Sequence, residues 1–368
     1  MNIFLYEFVT GGGLFFEESL AASDADSLAG EGRAMLLALA EDFLAIDGVS
    51  VTVLQDLRVW SKQQSSPSFY RSMATGHLNL ITVDTPSAAR RFWMRAAQAA
   101  DYTIVIAPEI NGHLLRIVDE LEAASVSLLS PPATFVQIAA DKLACCQRLQ
   151  QHDCATIETS LIDLALAERW LADGRRIVTK PRFGAGSQGI QITDDLANVG
   201  RFVANDQFVM QPLESGQAVS VAAICSGRET QLLPACRQHL GPRDGLSGGT
   251  FQYQGGSLPL DDCLNRRAHS LARKAITAMP PTIGYCGLDL LLGDRTDAAE
   301  DKVVEINPRL TTSYVGLRAA CVGNLALAML QAAQGRTMPL AFSAESIEFD
   351  CLGNVSEFSA ECQPGEVR

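Results

Sequence analysis

Asp289, Glu305, Asn307 and Arg309 stand in or beside two apolar runs, GLDLLL and KVVEINPRL. An acid inside such a run is costly unless it binds something. Glu305 and Asn307 are two residues apart, so in a strand both side chains point to one face, and Arg309 follows on the same side. If the two runs pair as a hairpin, Asp289 joins them. Two carboxylates and an amide are hard oxygen ligands suited to one or two Mg2+ ions (or Mn2+) that also take phosphate oxygens. A guanidinium beside them can fork onto a phosphoryl group. The bland alternative is a hairpin with polar residues facing solvent.

A second stretch, KPRFGAGSQGIQI, spells G-x-G-x-x-G with Gly184, Gly186 and Gly189. A dinucleotide-binding turn needs a helix next; here IQITDD alternates and is rich in β-formers. A Walker loop needs Gly-Lys-Ser/Thr, which does not follow. What remains is a glycine loop between two strands, either an ordinary hairpin or a flap whose backbone N–H groups lie over triphosphate oxygens. Lys180 enters this loop, and Lys142 starts a helix about 40 residues upstream in ADKLACC. The two cations can converge on phosphates or can remain solvated surface charges. The 5 histidines are dispersed, and the 10 cysteines show neither C-x-x-C nor zinc spacing. They read as reduced buried thiols of a cytoplasmic protein, with no nucleophilic triad.

These residues need elements to hold them. The first third alternates strands (NIFLYEFV, VSVTVLQDL, LNLITVD, YTIVIAPE, VSLLS) with helices (LAGEGRAMLLALAEDFLAI, SAARRFWMRAAQAA, HLLRIVDELEAA). Such alternation predicts a parallel sheet covered by helices. After SPP the character changes. PATFVQIAADKLACCQRLQQ reads as a helix. RRIVTKP, GIQIT, FVMQPL, AVSVAAICSG and ETQLLPACRQHL read as strands of an antiparallel or mixed sheet. A helix, LNRRAHSLARKAITAM, precedes the two acid-bearing runs, and NLALAMLQAAQG forms another. The tail from about Arg336 is ambiguous. The expected division is an α/β domain over residues 1–130, an α+β domain over 131–335 and a C-terminal extension over 336–368.

Of the 368 residues, 47% are hydrophobic and 19% charged, enough for large cores. A formal charge of -13 argues against a nucleic-acid partner. No run approaches the ~20 apolar residues of a membrane span, and the N-terminus reads as a first strand, not a signal peptide.

Taken in order, Lys142, Lys180, the glycine loop, MQPL, LDLLL and EINPR resemble the ATP-grasp superfamily over roughly residues 130–334, with the first third similar to its pre-ATP-grasp Rossmann-like domain. The resemblance implies a nucleotide held between two α+β subdomains and an ATP-dependent carbon–nitrogen ligase. It assigns ATP phosphates to Lys142, Lys180, Gly184, Gly186, Ser187 and Gly189, and the adenine and ribose end to Gln211, Leu213 and Glu214. Asp289, Glu305 and Asn307 become the metal ligands, and Arg309 the catalytic cation on the transferring phosphoryl group. The hinge departs from the family's E-x-x-x-x-G-x-E-x-S-V: Gln211 and Ala218 occupy the acid positions. FLYEFVTGGG and IAPEINGHLLRIVDELE further resemble the tyramine–glutamate ligases of methanofuran and methylofuran assembly. On that likeness small-molecule amino acid and amine substrates are expected. Glu7 and Glu109 are placed near an amine, Gly12 near the amine or the phosphates, and Tyr314 and Arg318 in an acyl pocket. Residues 246–256 are expected to form a lid, and a homo-oligomer is left open. A nucleotide-binding regulatory or scaffold protein with a degenerate site is the competing class.

Overall fold

The structure, a computed structural model, describes residues 1–17, 22–60, 76–186, 188–242 and 251–358. Near the N-terminus β1 (Asn2–Glu7), β2 (Ser50–Asp56), β3 (Leu78–Val83) and β4 (Tyr102–Ile106) form a parallel sheet in the order β3-β2-β1-β4. The central β1 is buried along almost its whole length, as its uninterrupted apolar run requires. Helices Ala22–Leu44, Pro86–Ala99 and His113–Ala123 connect and cover the strands. Thr85 caps the second of these by accepting from Ala88 N, with Pro86 at the first helical position. The expected strand VSLLS reduces to a single parallel bridge, Thr103 to Leu128.

The segment expected as one helix from Pro132 is two, Ala133–Ala139 and Lys142–Gln151. Asp141 causes the break: its carboxylate accepts from Leu143 N and Ala144 N and so caps a new helix. Next comes a small antiparallel sheet of β5 (Ser160–Leu161), β6 (Ile177–Pro181), β7 (Gln191–Thr193) and β8 (Phe208–Pro212), ordered β5-β8-β6-β7.

The large sheet follows. Its strands are β9 (Gln217–Ser226), β10 (Thr230–Leu232), β11 (Cys236–Pro242), β12 (Phe251–Leu258), β13 (Ile283–Leu292) and β14 (Lys302–Asn307). A short pair, β15 (Cys321–Val322) and β16 (Ala341–Phe342), stands apart, and β17 (Ser346–Asp350) and β18 (Val355–Phe358) complete the large sheet. Its order is β14-β13-β9-β11-β12-β17-β18, with β10 on β9. The ambiguous tail therefore supplies an integral strand: β17 pairs with β12 and buries Ile347 and Phe349.

β9 shows how the sheet is used. Val219, Val221, Ala223 and Cys225 pack toward helix Asp262–Ala278, while Ala222 and Ile224 join a core shared with helices Ala22–Leu44, Ser313–Ala320 and Leu325–Ala333. That shared core ties the N-terminal sheet to the large sheet, and each fully buried Leu or Phe in it contributes roughly 1.5–3 kcal/mol. Among the described residues no helix is long and apolar enough to cross a membrane.

Candidate functional site

A cavity of about 310 Å³ lies between the small sheet and the large one. Strand alternation decides what faces it. Along β13, Cys286, Leu288, Leu290 and Leu292 enter the core, so Gly287, Asp289 and Leu291 turn to the cavity. β14 pairs with β13 in antiparallel register, placing Glu305 opposite Asp289 and Asn307 opposite Gly287. The hairpin expected from the sequence thus brings both acids and the amide onto one wall. Asp289 accepts from Asn307 Nδ2 at 3.0 Å and from Gln238 Nε2 at 2.8 Å.

Burial pushes the Asp289 carboxyl up to about 7, with the facing Glu305 adding to the rise. Burial acts the same way on Glu305, but Lys142 and Lys180 outweigh it and hold that carboxyl below its ordinary value. Two half-buried carboxylates facing each other form a site that a divalent cation would relieve. No group of three or more His, Cys, Asp or Glu gathers among the described residues, so the protein offers an open oxygen set and not a closed cage. That set fits Mg2+, which keeps waters and completes its shell with phosphate oxygens.

The two predicted lysines converge beside this wall. Lys142 Nζ donates to Gly184 O at 2.9 Å and lies 3.6 Å from Glu305 Oε2. The cap at Asp141 sets its position, and Arg182 locks that cap with two bonds of 2.8 and 2.6 Å. Lys180 is buried, and desolvation lowers its ammonium to about 8 against the pull of Glu305. Gly184 and Gly186 line the cavity, whereas Gly189 turns against Pro181 and does not. Ser187 lies outside the described residues.

Beyond the lysines the wall becomes apolar, with Ile157, Val178, Ile192 and Leu291, a slot suited to a planar ring. Gln211 and Leu213 border it. Gln211 donates to Thr159 Oγ1 at 2.7 Å, and Glu214, also on the wall, is held by Lys302 at 2.7 Å and Arg175 at 3.1 Å. Ala218 puts a methyl where the family's second hinge acid is expected.

At the other end Arg309 lines the cavity and is clasped by Glu109 through two bonds of 3.0 and 3.2 Å. Glu109, which the sequence placed near an amine, therefore faces a guanidinium of the chain itself. Glu7 is buried at the end of β1 and accepts from Val9 N, Thr10 N and Thr10 Oγ1. Burial raises its carboxyl to about 7. It borders a small side chamber of about 30 Å³ that shares Glu31, Ala185, Gly186 and Arg309 with the main cavity.

Two expectations place residues where the site is not. Tyr314 is fully buried and donates to Asp42 Oδ2 at 2.6 Å, and Arg318 pairs with Asp42 and Glu41. Helix Ser313–Ala320 turns both toward helix Ala22–Leu44, so they fasten two helices instead of lining an acyl pocket; only the helix start, Thr311 to Ser313, reaches the cavity. Gly12 holds the turn after β1 at φ +95°, where a Cβ would meet Val83 at 3.0 Å. Of the expected lid, residues 246–250 lie outside the described residues, and the remainder begins β12, paired to β11 and β17, with Phe251 and Tyr253 on the cavity wall. Gln238 and Glu31 line the cavity without having been singled out. Gln238 carries no local sequence signal. Glu31 does, because it sits between Gly30 and Gly32 inside a helix, where glycine costs about 1 kcal/mol.

The chain was compared with known proteins. Residues 139–313 match the family model of an ATP-grasp domain, and residues 49–136 that of a pre-ATP-grasp domain. Tyramine–L-glutamate ligase of Methanocaldococcus fervens is 24% identical over 91% of this chain and 98% of its own length. The Methanocaldococcus jannaschii enzyme of the same name is 23% identical over 91% and 93%. Among solved structures, an ATP-grasp superfamily protein from Archaeoglobus fulgidus aligns with a TM-score of 0.65 at 20% identity, over 95% of this chain and 92% of that one. N5-carboxyaminoimidazole synthetase from Staphylococcus aureus gives 0.63 at 15%, over 94% and 81%. With a pre-ATP-grasp domain leading into an ATP-grasp domain, the chain belongs to the ATP-grasp superfamily.

Proposed function

We propose that the chain is an ATP-dependent, ADP-forming carboxylate–amine ligase that activates its acid as an acylphosphate, with glutamate and tyramine as the leading substrate pair and methanofuran- or methylofuran-type cofactor assembly as its setting. The observation that carries the reaction is one wall bearing Asp289, Glu305 and Asn307 beside Lys142, Lys180 and Arg309. The likeness to two tyramine–L-glutamate ligases over 91% of the chain supports the substrate pair.

A carboxylate is a poor electrophile at neutral pH, and phosphorylation gives it a leaving group. The protein contributes positioning and charge neutralisation. Mg2+ held by Asp289, Glu305 and Asn307 would neutralise phosphate charge during transfer. Lys142 and Lys180 bind the α- and β-phosphates, and the backbone of the glycine loop covers the β- and γ-phosphates. Arg309, aimed by Glu109, steadies the transferring group and the later tetrahedral oxyanion. The apolar slot by Gln211 and Leu213 takes the adenine, and Glu214 reaches the ribose. The reaction requires no side-chain nucleophile.

The test is phosphate release with Mg-ATP, glutamate and a panel of amines, with mass analysis of the products. ATP consumption without an amine-dependent amide would refute the ligase reading. Glu305→Ala should abolish turnover while the protein stays folded; full activity in that variant would remove the metal assignment.

A further inference from the structure

We propose that Glu31 is the carboxylate that receives the ammonium group of the amine substrate and takes one of its protons before attack, an inference that rests on the ligase reading above. Glu31 lies on helix Ala22–Leu44 of the N-terminal domain and borders both the main cavity and the side chamber, each of which Arg309 also lines. Leu28, Glu31 and Met35, at helical spacing, all line the side chamber. Gly32 lets the helix approach β1 closely, since a Cβ there would meet Glu7 Oε1 at 2.4 Å.

Charge accounting selects Glu31 among the acids of this region. Glu109 is spent on Arg309 by two hydrogen bonds. Glu7 is occupied by the donors of Val9 and Thr10. Glu214 is paired with Lys302 and Arg175, and Asp289 and Glu305 form the metal wall. Glu31 alone among these six carboxylates has no hydrogen-bond or ion-pair partner among the described residues. An acid left unpaired beside a cavity is costly unless a cation joins it. The apolar flanks supplied by Leu28, Met35 and Ile106 suit the carbon chain of a primary alkylammonium and disfavour a hydrated metal ion. Burial raises the Glu31 carboxyl to about 7, with Arg309 opposing the rise, so it can exchange a proton near neutral pH.

The step balances. The ammonium gives one proton to Glu31, and the freed nitrogen lone pair attacks the acylphosphate carbonyl. The C–N bond forms, and the C–O bond to phosphate breaks with its electron pair leaving on phosphate. A second proton from nitrogen passes to that phosphate, and the third stays on the amide.

The test compares acceptors in wild type and Glu31→Gln with Mg-ATP and glutamate. One acceptor is the amine used by the wild type; the other is hydroxylamine, which is neutral near pH 7 and needs no ammonium site. The ratio of kcat/KM for amine over hydroxylamine should fall about 100-fold in Glu31→Gln and recover in part in Glu31→Asp, which also serves if the Gln variant fails to fold. An unchanged ratio in a folded variant overturns the proposal. So does a loss of both reactions together with nucleotide binding, which would put Glu31 in the ATP site. A wild type that makes neither amide nor hydroxamate fails earlier, at the ligase reading, and takes this proposal with it.

Discussion

Glu109→Gln keeps the shape of the side chain and removes its charge, so it isolates the electrostatic part of the clasp on Arg309. The two bonds measure 3.0 and 3.2 Å, and the side chains are only 4% and 13% exposed. At an effective dielectric near 20, unit charges ~3 Å apart attract by about 5 kcal/mol. A glutamine oxygen retains one neutral acceptor, worth about 1 kcal/mol. The net cost is therefore about 3–4 kcal/mol, within the range found when one partner of a buried ion pair is removed. Urea denaturation of the nucleotide-free protein reads this as a lower midpoint with unchanged slope. In an Arg309→Met background the same substitution should cost less than about 1 kcal/mol, because no charge remains to be stranded. Turnover should fall as well, since Arg309 would lose the partner that aims it. Equal midpoints for wild type and Glu109→Gln, or strict additivity with Arg309→Met, would refute the reasoning.

Lys180→Met should lower kcat/KM for ATP by at least about 100-fold, as expected for loss of a buried cation at developing phosphate charge; coupled ADP release measures it, and an unchanged value would take Lys180 off the phosphates. Tyr314→Phe should cost about 1–3 kcal/mol, because Asp42 loses a buried donor, while the KM values for both substrates stay as in wild type; a raised KM would return Tyr314 to the substrate pocket. Glu7 gives a pH signature: its folded value of about 7 lies above the ordinary 4.5, so its stabilising term is full below pH ~4.5 and is lost as pH rises through about 7. Between mildly acidic and mildly alkaline pH the wild type should therefore lose on the order of 2–3 kcal/mol relative to Glu7→Gln, and parallel pH–stability curves would refute this.

Local chemistry accounts for what could be read without coordinates. Apolar runs and their alternation give the parallel first sheet and most strands of the second. A strand fixes the relation of Glu305 to Asn307, because side chains two apart share a face. One boundary was legible only in part. The carboxylate of Asp141 breaks an otherwise continuous helical pattern, and the same cap puts Lys142 at the first helical position.

Other placements depended on contacts hundreds of residues apart. Tyr314 and Arg318 follow β14 closely in sequence, yet helix Ser313–Ala320 carries them to Asp42, 272 and 276 residues away. Glu109 meets Arg309 across 200 residues, and no local pattern announces that pairing. Strand β17 joins β12 through a tail whose composition named no element.

The sequence by itself determined the wall of two carboxylates and an amide, the cationic residues beside it and the class of fold, because residue type, strand period and capping act within a few residues. Only the tertiary structure decided that Glu109 belongs to Arg309, that Tyr314 fastens helices, and that Glu31 faces the cavity. Those outcomes are set by how helix Ala22–Leu44 packs between two sheets, and packing geometry is a property of the whole chain.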